Sequence, residues 1–89
     1  MIERELTVAN RLGLHARATA RLVQLLSGYK CDATLSARGR QVNAKSIMGV
    51  MLLAAGTGST VVLRVDGEDE SDAADAVSAL FERRFDEDA

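Results

Sequence analysis

His15 is the only histidine in the chain and the residue best suited to nucleophilic chemistry. It lies in residues 13–17, Gly-Leu-His-Ala-Arg, where a strand-like run gives way to an apolar helical pattern. A helix that starts there offers unpaired backbone N–H groups and the positive end of its dipole to an anion. Two residues later, the guanidinium of Arg17 adds a fixed positive charge with paired N–H donors. The spacing predicts that His15 carries a phosphoryl group, with Arg17 and the amides of residues 16–18 as donors.

Length and composition restrict the class of protein. We expect residues 1–89 to form one small domain without room for several substrate pockets. The net charge of −2 and the 3% aromatic content disfavour nucleic acid as a partner. No run of about 18 apolar residues predicts insertion into a membrane. The single cysteine, Cys31, and the charged segment after Met1 predict a reducing, cytoplasmic setting.

Apolar periodicity predicts seven elements in an α+β arrangement. The predicted strands cover residues 2–8, 31–37, 40–44 and 60–65, and the predicted helices cover 16–27, 47–53 and a segment carrying 73–81. The pair Arg38 and Gly39 is typical of a hairpin turn, which requires antiparallel pairing. We therefore expect a four-stranded antiparallel sheet with the helices on one face.

Polar residues at the element ends refine this prediction. Gly28 is expected to end the first helix, and Ser46 is expected to cap the second. Asp69 and Asp72 resemble a weak capping box before the third helix. The acidic residues 86–88 are expected to form a frayed tail.

Two motifs, residues 13–17 and residues 45–51 (Lys-Ser-Ile-Met-Gly-Val-Met), together resemble HPr, the histidine phosphocarrier of the bacterial phosphotransferase system. The resemblance covers essentially the whole chain and implies an open-faced β-sandwich of order βαββαβα. It implies a phosphoryl carrier rather than an enzyme. His15 would accept a phosphoryl group on Nδ1 from enzyme I and pass it to an enzyme IIA-type protein. Arg17 would compensate the growing charge.

The same resemblance implies a second site and a docking surface. In many lineages Ser46 is phosphorylated by HPr kinase/phosphorylase, so it is expected to be regulatory. A phosphate on Ser46 would lie beside an apolar patch that docks partners, expected to comprise Leu14, Ile47, Met48 and Met51. The two methionines share a helix face and are alternatively core residues, with Met48 favoured as the contact. A carrier that docks partners in turn is expected to be a monomer.

The chain departs from the family pattern at two places. Ala18 replaces the usual proline after the arginine, which leaves a looser first turn and one more N–H donor. Leu12 replaces a small polar residue, and with Arg11 and the ending at residues 85–88 it favours the nitrogen-related, NPr-like branch.

Other readings of the same residues are open. The principal alternative is a regulatory binding module controlled by Ser46, and a stand-alone hydrolase is a distant third because no second catalytic group is evident. A nucleophilic pair of Cys31 with His15 lacks an orienting third group. Residues 56–58 lack the lysine of a phosphate-binding loop. No cluster has metal-ligand spacing, so neither a metal nor another cofactor is expected.

Overall fold

The computed structural model describes residues 1–87, and its elements follow the predicted order. The strands are β1 (Ile2–Thr7), β2 (Asp32–Ala37), β3 (Arg40–Asn43) and β4 (Thr60–Asp66). The helices are α1 (Ala16–Ser27), α2 (Ile47–Leu52) and α3 (Glu70–Glu82), followed by a short C-terminal turn, Arg84–Asp86.

The four strands form one antiparallel sheet of order β1-β4-β2-β3. Val61, Leu63 and Val65 alternate along β4 and are buried, whereas Arg64 between them is exposed. Only one face of β4 is covered, because the helices lie on one side of the sheet alone. The predicted open-faced sandwich of sheet and three helices is confirmed.

Apolar side chains from the sheet, α1, α2 and α3 meet in one core cluster. The buried face of α1 carries Ala18, Leu22 and Leu26, while Ala16 at the start of the helix is exposed. The core-facing stripe of α3 includes Val77 and Phe81 and continues past the helix to the buried Phe85. No helix among residues 1–87 is long and apolar enough to cross a membrane.

The predicted β2–β3 hairpin is confirmed, and Gly28 ends α1 as predicted but without a left-handed backbone. At the β2–β3 hairpin both Arg38 (φ 51°) and Gly39 (φ 78°) are left-handed, as a two-residue type I′ turn requires. Gly28 ends α1 with a right-handed backbone, so its conformational freedom is not used.

The predicted capping box at Asp69 is wrong. The Asp69 side chain makes no capping bond to α3. Its carboxylate instead accepts from the backbone N–H groups of Lys30 (2.8 Å) and Cys31 (2.9 Å), and these bonds hold the pKa of Asp69 below its usual value. Asp69 therefore ties the start of α3 to the segment that leads into β2.

Candidate functional site

His15 caps the N-terminus of α1, as its position in the sequence predicted. Its backbone is extended (φ −79°, ψ −177°), and its Nδ1 accepts a hydrogen bond from the backbone N–H of Arg17 at 3.3 Å. The side chain is 29% exposed, so the ring edge reaches solvent. Nδ1 therefore lies where the free N–H groups and the dipole of α1 favour negative charge.

The loop before His15 is pinned to the chain that follows α2. Gly13 has a φ of +70°, and a Cβ there would lie 2.8 Å from both the carbonyl oxygen of Ala55 and the Cα of Gly56. The N–H of Leu14 donates to the same Ala55 carbonyl at 2.9 Å. Only glycine fits this close approach without strain, and the contact fixes the direction in which His15 leaves the loop.

Glu87 contacts the other ring nitrogen, which the sequence did not predict. Its Oε2 lies 2.7 Å from His15 Nε2, and its side chain is 9% exposed. The buried Asn10 donates from Nδ2 to Glu87 Oε1 at 2.8 Å and to the Gly13 carbonyl at 2.7 Å. The Asn10 bond, followed by the bond to His15 and the positive charges of His15 and Arg17, holds the pKa of Glu87 below its usual value.

The C-terminal turn positions Glu87, so the expected frayed tail is wrong for residues 86 and 87. Arg84, Phe85 and Asp86 have φ between 55° and 60°, which makes a left-handed turn of three non-glycine residues. Phe85 is fully buried, with its ring centroid 4.8 Å from that of Phe81. The Arg21 guanidinium donates to the Phe85 carbonyl. The turn thus folds back over α1 and ends at His15, while Asp88 lies outside the described residues.

Ser46 caps α2 as predicted, with its Oγ accepting from the Gly49 N–H at 3.1 Å. At the other end of α2, Arg40 donates to the Leu52 carbonyl and Arg38 to the Leu53 carbonyl. α2 is therefore held at both ends although it has only six residues.

The surface around α2 is apolar and exposed. Met48 is 77% exposed and Met51 is 44% exposed, so neither is a core residue. Leu14 was expected to be part of this surface, but it is only 5% exposed and packs in the core. The exposed apolar side chains of α2 are Ile47, Met48, Met51 and Leu52, and we call these four residues the docking patch, after the role expected from the sequence.

Of the remaining candidates, Arg17 adjoins His15 through its backbone N–H, whereas Cys31 is bonded to Asp69 instead. Cys31 is buried, burial raises the pKa of its thiol, and its backbone N–H is bonded to Asp69. Arg17 is exposed, with its backbone N–H directed at the imidazole. Within residues 1–87, no three His, Cys, Asp or Glu side chains converge as metal ligands would.

Comparisons with known proteins agree with this arrangement. The family model described as "PTS HPr component phosphorylation site" matches residues 2–83. The phosphocarrier protein HPr of Xylella fastidiosa strain Temecula1 is 64% identical over 88 residues, which cover 99% of each chain. A crystal structure of HPr-C-His from Thermoanaerobacter tengcongensis superimposes with a TM-score of 0.96 at 38% identity and covers 100% of both chains.

Two further matches bear on finer points. The phosphocarrier protein NPr of Shewanella violacea is 38% identical over 86 residues, covering 97% of this chain and 94% of its own. A crystal structure of an HPr dimer from T. tengcongensis matches with a TM-score of 0.79 at 39% identity, covering 98% of this chain and 100% of that one.

The fold and the comparisons define a small phosphocarrier protein rather than an enzyme. The chain belongs to the HPr family of the phosphotransferase system, as the resemblance implied. Its function is to carry phosphoryl groups between components of that system.

Proposed function

We propose that His15 is the phosphoryl acceptor, that it receives the group on Nδ1 from a phosphohistidine of enzyme I, and that it delivers the group to an enzyme IIA-type protein. The single observation that carries this proposal is the placement of Nδ1 at the N-terminus of α1, 3.3 Å from a backbone N–H. A phosphoryl group bound there meets the positive end of the helix dipole and the free amides of the first turn.

Arg17 supplies the positive side chain of the site. It is exposed in the first turn of α1, where its guanidinium is free to follow the phosphoryl group from donor to His15 and from His15 to acceptor. A guanidinium forms paired hydrogen bonds with phosphate oxygens, so Arg17 stabilises the charge that develops during transfer. Because the site is open to water, this stabilisation is moderate, which suits a carrier that must also release the group.

The docking patch on α2 is the surface where both partners bind in turn. Its methionines are flexible and polarisable, which suits a surface that repacks against different proteins. Its neighbour His15 has an exposed ring edge, so a partner that covers the patch brings its own histidine to Nδ1. We expect brief complexes of one carrier with one partner, and hence a monomeric carrier in the cytoplasm.

Ser46 is the regulatory site of this proposal, with HPr kinase/phosphorylase as the enzyme that modifies it. Its hydroxyl caps α2 at the border of the docking patch, next to Ile47. A phosphate on Ser46 adds up to about two negative charges beside an apolar docking surface, which costs desolvation when a partner binds. Modification is therefore expected to weaken docking without touching His15.

Incubation with phosphoenolpyruvate, Mg²⁺ and enzyme I, followed by intact mass measurement and an acid-lability assay, tests the proposal. The wild type and Ser46→Ala are expected to gain one acid-labile phosphate, and His15→Ala none. Arg17→Ala is expected to be phosphorylated more slowly than the wild type. Uptake by His15→Ala contradicts the proposal. An acid-stable phosphate gained only with ATP and HPr kinase, and lost in Ser46→Ala, would favour the regulatory binding module instead.

A further inference from the structure

The carboxylate of Glu87 is built into the site from the far end of the chain. Its Oε2 lies 2.7 Å from His15 Nε2, and the fully buried Asn10 holds its other oxygen at 2.8 Å. Asn10 Oδ1 is buried without a hydrogen-bond partner in the part of the chain that the structure describes. A buried polar atom without a partner is unfavourable for stability. What offsets this cost is the pair of hydrogen bonds that Asn10 donates to Glu87 and to the Gly13 carbonyl.

The contact decides which ring nitrogen carries the proton. An ionised carboxylate only accepts hydrogen bonds, so a neutral imidazole facing it at 2.7 Å must present Nε2–H. The bond at the opposite nitrogen agrees, because the Arg17 N–H donates to Nδ1, which must then be unprotonated. The lone pair needed for attack is thus on Nδ1, at the start of α1.

We propose that Glu87, held in place by Asn10, is a positioning residue that keeps the proton of His15 on Nε2 and pairs with the ring charge that phosphorylation creates. The inference rests on the proposed role of His15 as acceptor. It extends the site to a residue 72 positions away in the sequence.

The transfer step balances without moving a proton at His15. The Nδ1 lone pair forms a bond to phosphorus while the nitrogen–phosphorus bond of the donor phosphohistidine breaks, and that electron pair stays on the donor nitrogen. Because Nε2 keeps its proton, the phosphorylated ring of His15 becomes positive. The Glu87 carboxylate faces that positive N–H directly, so it stabilises the phosphorylated ring more than the free one.

Other charged side chains surround the pair and are unchanged by the variants below. The two cations on α1 are Arg17, whose charge lowers the pKa of Glu87, and Arg21, which donates to the Phe85 carbonyl. α2 contributes no charged side chain. The exposed charges of the flanking loop and of the C-terminal turn are Arg11, Arg84 and Asp86.

The ¹⁵N spectrum of the His15 ring in the unphosphorylated protein is the first test, recorded at about pH 8, above the ordinary range of histidine titration. The wild type is expected to show a single Nε2–H tautomer, and Glu87→Ala a mixture with Nδ1–H. Glu82→Gln is the matched control, because it removes an exposed carboxylate at the end of α3. It is expected to leave the spectrum unchanged. An identical spectrum in wild type and Glu87→Ala overturns the proposal.

The second test titrates the phosphorylated protein by ³¹P NMR. Glu87→Gln removes the charge but keeps the shape, so the midpoint of the phosphohistidine titration is expected to fall by about half a pH unit. Glu82→Gln is expected to match the wild type. An unchanged midpoint in Glu87→Gln overturns the charge-pairing part of the proposal. If even the wild type takes up no phosphate, the proposed function fails, and the ¹⁵N tautomer measurement still decides the role of Glu87.

Discussion

Replacing Phe85 with alanine tests how the C-terminal turn is held against the rest of the protein. Phe85 is fully buried, and truncation of such a side chain inside a rigid element costs about 3–5 kcal/mol. The turn that carries it is strained, because Arg84, Phe85 and Asp86 are all left-handed. Each such residue costs about 1 kcal/mol, so the turn stores about 3 kcal/mol that its detachment releases.

If the turn detaches in Phe85→Ala, its strain is released. The loss of unfolding free energy therefore cannot exceed the net free energy that holds the turn against the rest of the protein. Subtracting the strain from the contribution of the phenyl group leaves at most about 2 kcal/mol of lost unfolding free energy. Phe81 offers a matched control, since its ring centroid lies 4.8 Å from that of Phe85 but its backbone belongs to α3, which packs into the core over several turns. Phe81→Ala is expected to lose about 3–5 kcal/mol.

Urea unfolding followed by far-UV circular dichroism measures both losses, a suitable probe because the chain has no tryptophan. Hydrogen exchange adds the local view. In Phe85→Ala the amides of Asp86 and Glu87, bonded to the carbonyls of Arg83 and Arg84, are expected to lose protection while those of α3 keep it. A loss of about 4 kcal/mol or more in Phe85→Ala, with those two amides still protected, would refute the reasoning, because the turn would then behave as a rigid part of the core.

Other substitutions probe the loop, the α2 cap and the Asp69 bridge. Gly13→Ala is expected to lose at least about 2 kcal/mol in urea unfolding, since its Cβ collides with the Ala55 carbonyl at 2.8 Å; a loss below about 0.5 kcal/mol would contradict the pinned loop. Ser46→Ala loses the hydrogen bond from the Gly49 N–H and about 1 kcal/mol of unfolding free energy, whereas Ser46→Asp still caps α2. Equal destabilisation of the two variants in thermal melts would argue against the cap. The folded-state pKa of Asp69 is lowered, so its stabilisation is present above about pH 4 and is lost as the pH falls through the folded-state pKa. Asp69→Asn is therefore expected to be less stable than the wild type in urea unfolding at pH 7, and the difference in unfolding free energy is expected to narrow in acid. A difference that does not change with pH would contradict this.

Local pattern was enough for the features that depend on neighbouring residues. His15 and Ser46 are caps because each precedes an apolar helical segment, and that relation is visible in a few residues of sequence. The hairpin turn was found the same way, from the Arg38-Gly39 pair between two strand-like segments. These predictions held because the capping bonds of His15 and Ser46 join residues only two and three positions apart.

Contacts between distant segments were missed. Asp69 was assigned to its own helix, but the backbone N–H groups before β2 compete successfully for its carboxylate. Glu87 was assigned to a frayed tail because it lies in an acidic terminal segment, and such segments usually fray. The left-handed turn of Arg84, Phe85 and Asp86 that positions it is one that non-glycine residues disfavour. The available signal was Phe85, an apolar residue four positions after Phe81 that continues the buried stripe of α3.

The order of the strands in the sheet limits how much of this protein can fold while it is being synthesised. β4 lies between β1 and β2, yet it is the last strand to leave the ribosome. Until residue 66 has emerged, β1 has no partner, and the nascent chain holds at most the β2–β3 hairpin and separate helices. Such non-local pairing slows folding and leaves apolar strands open to misassembly during synthesis. A chain halted before residue 60 thus contains His15 but no sheet to support it, so premature termination is expected to yield an inert fragment rather than a weakened carrier.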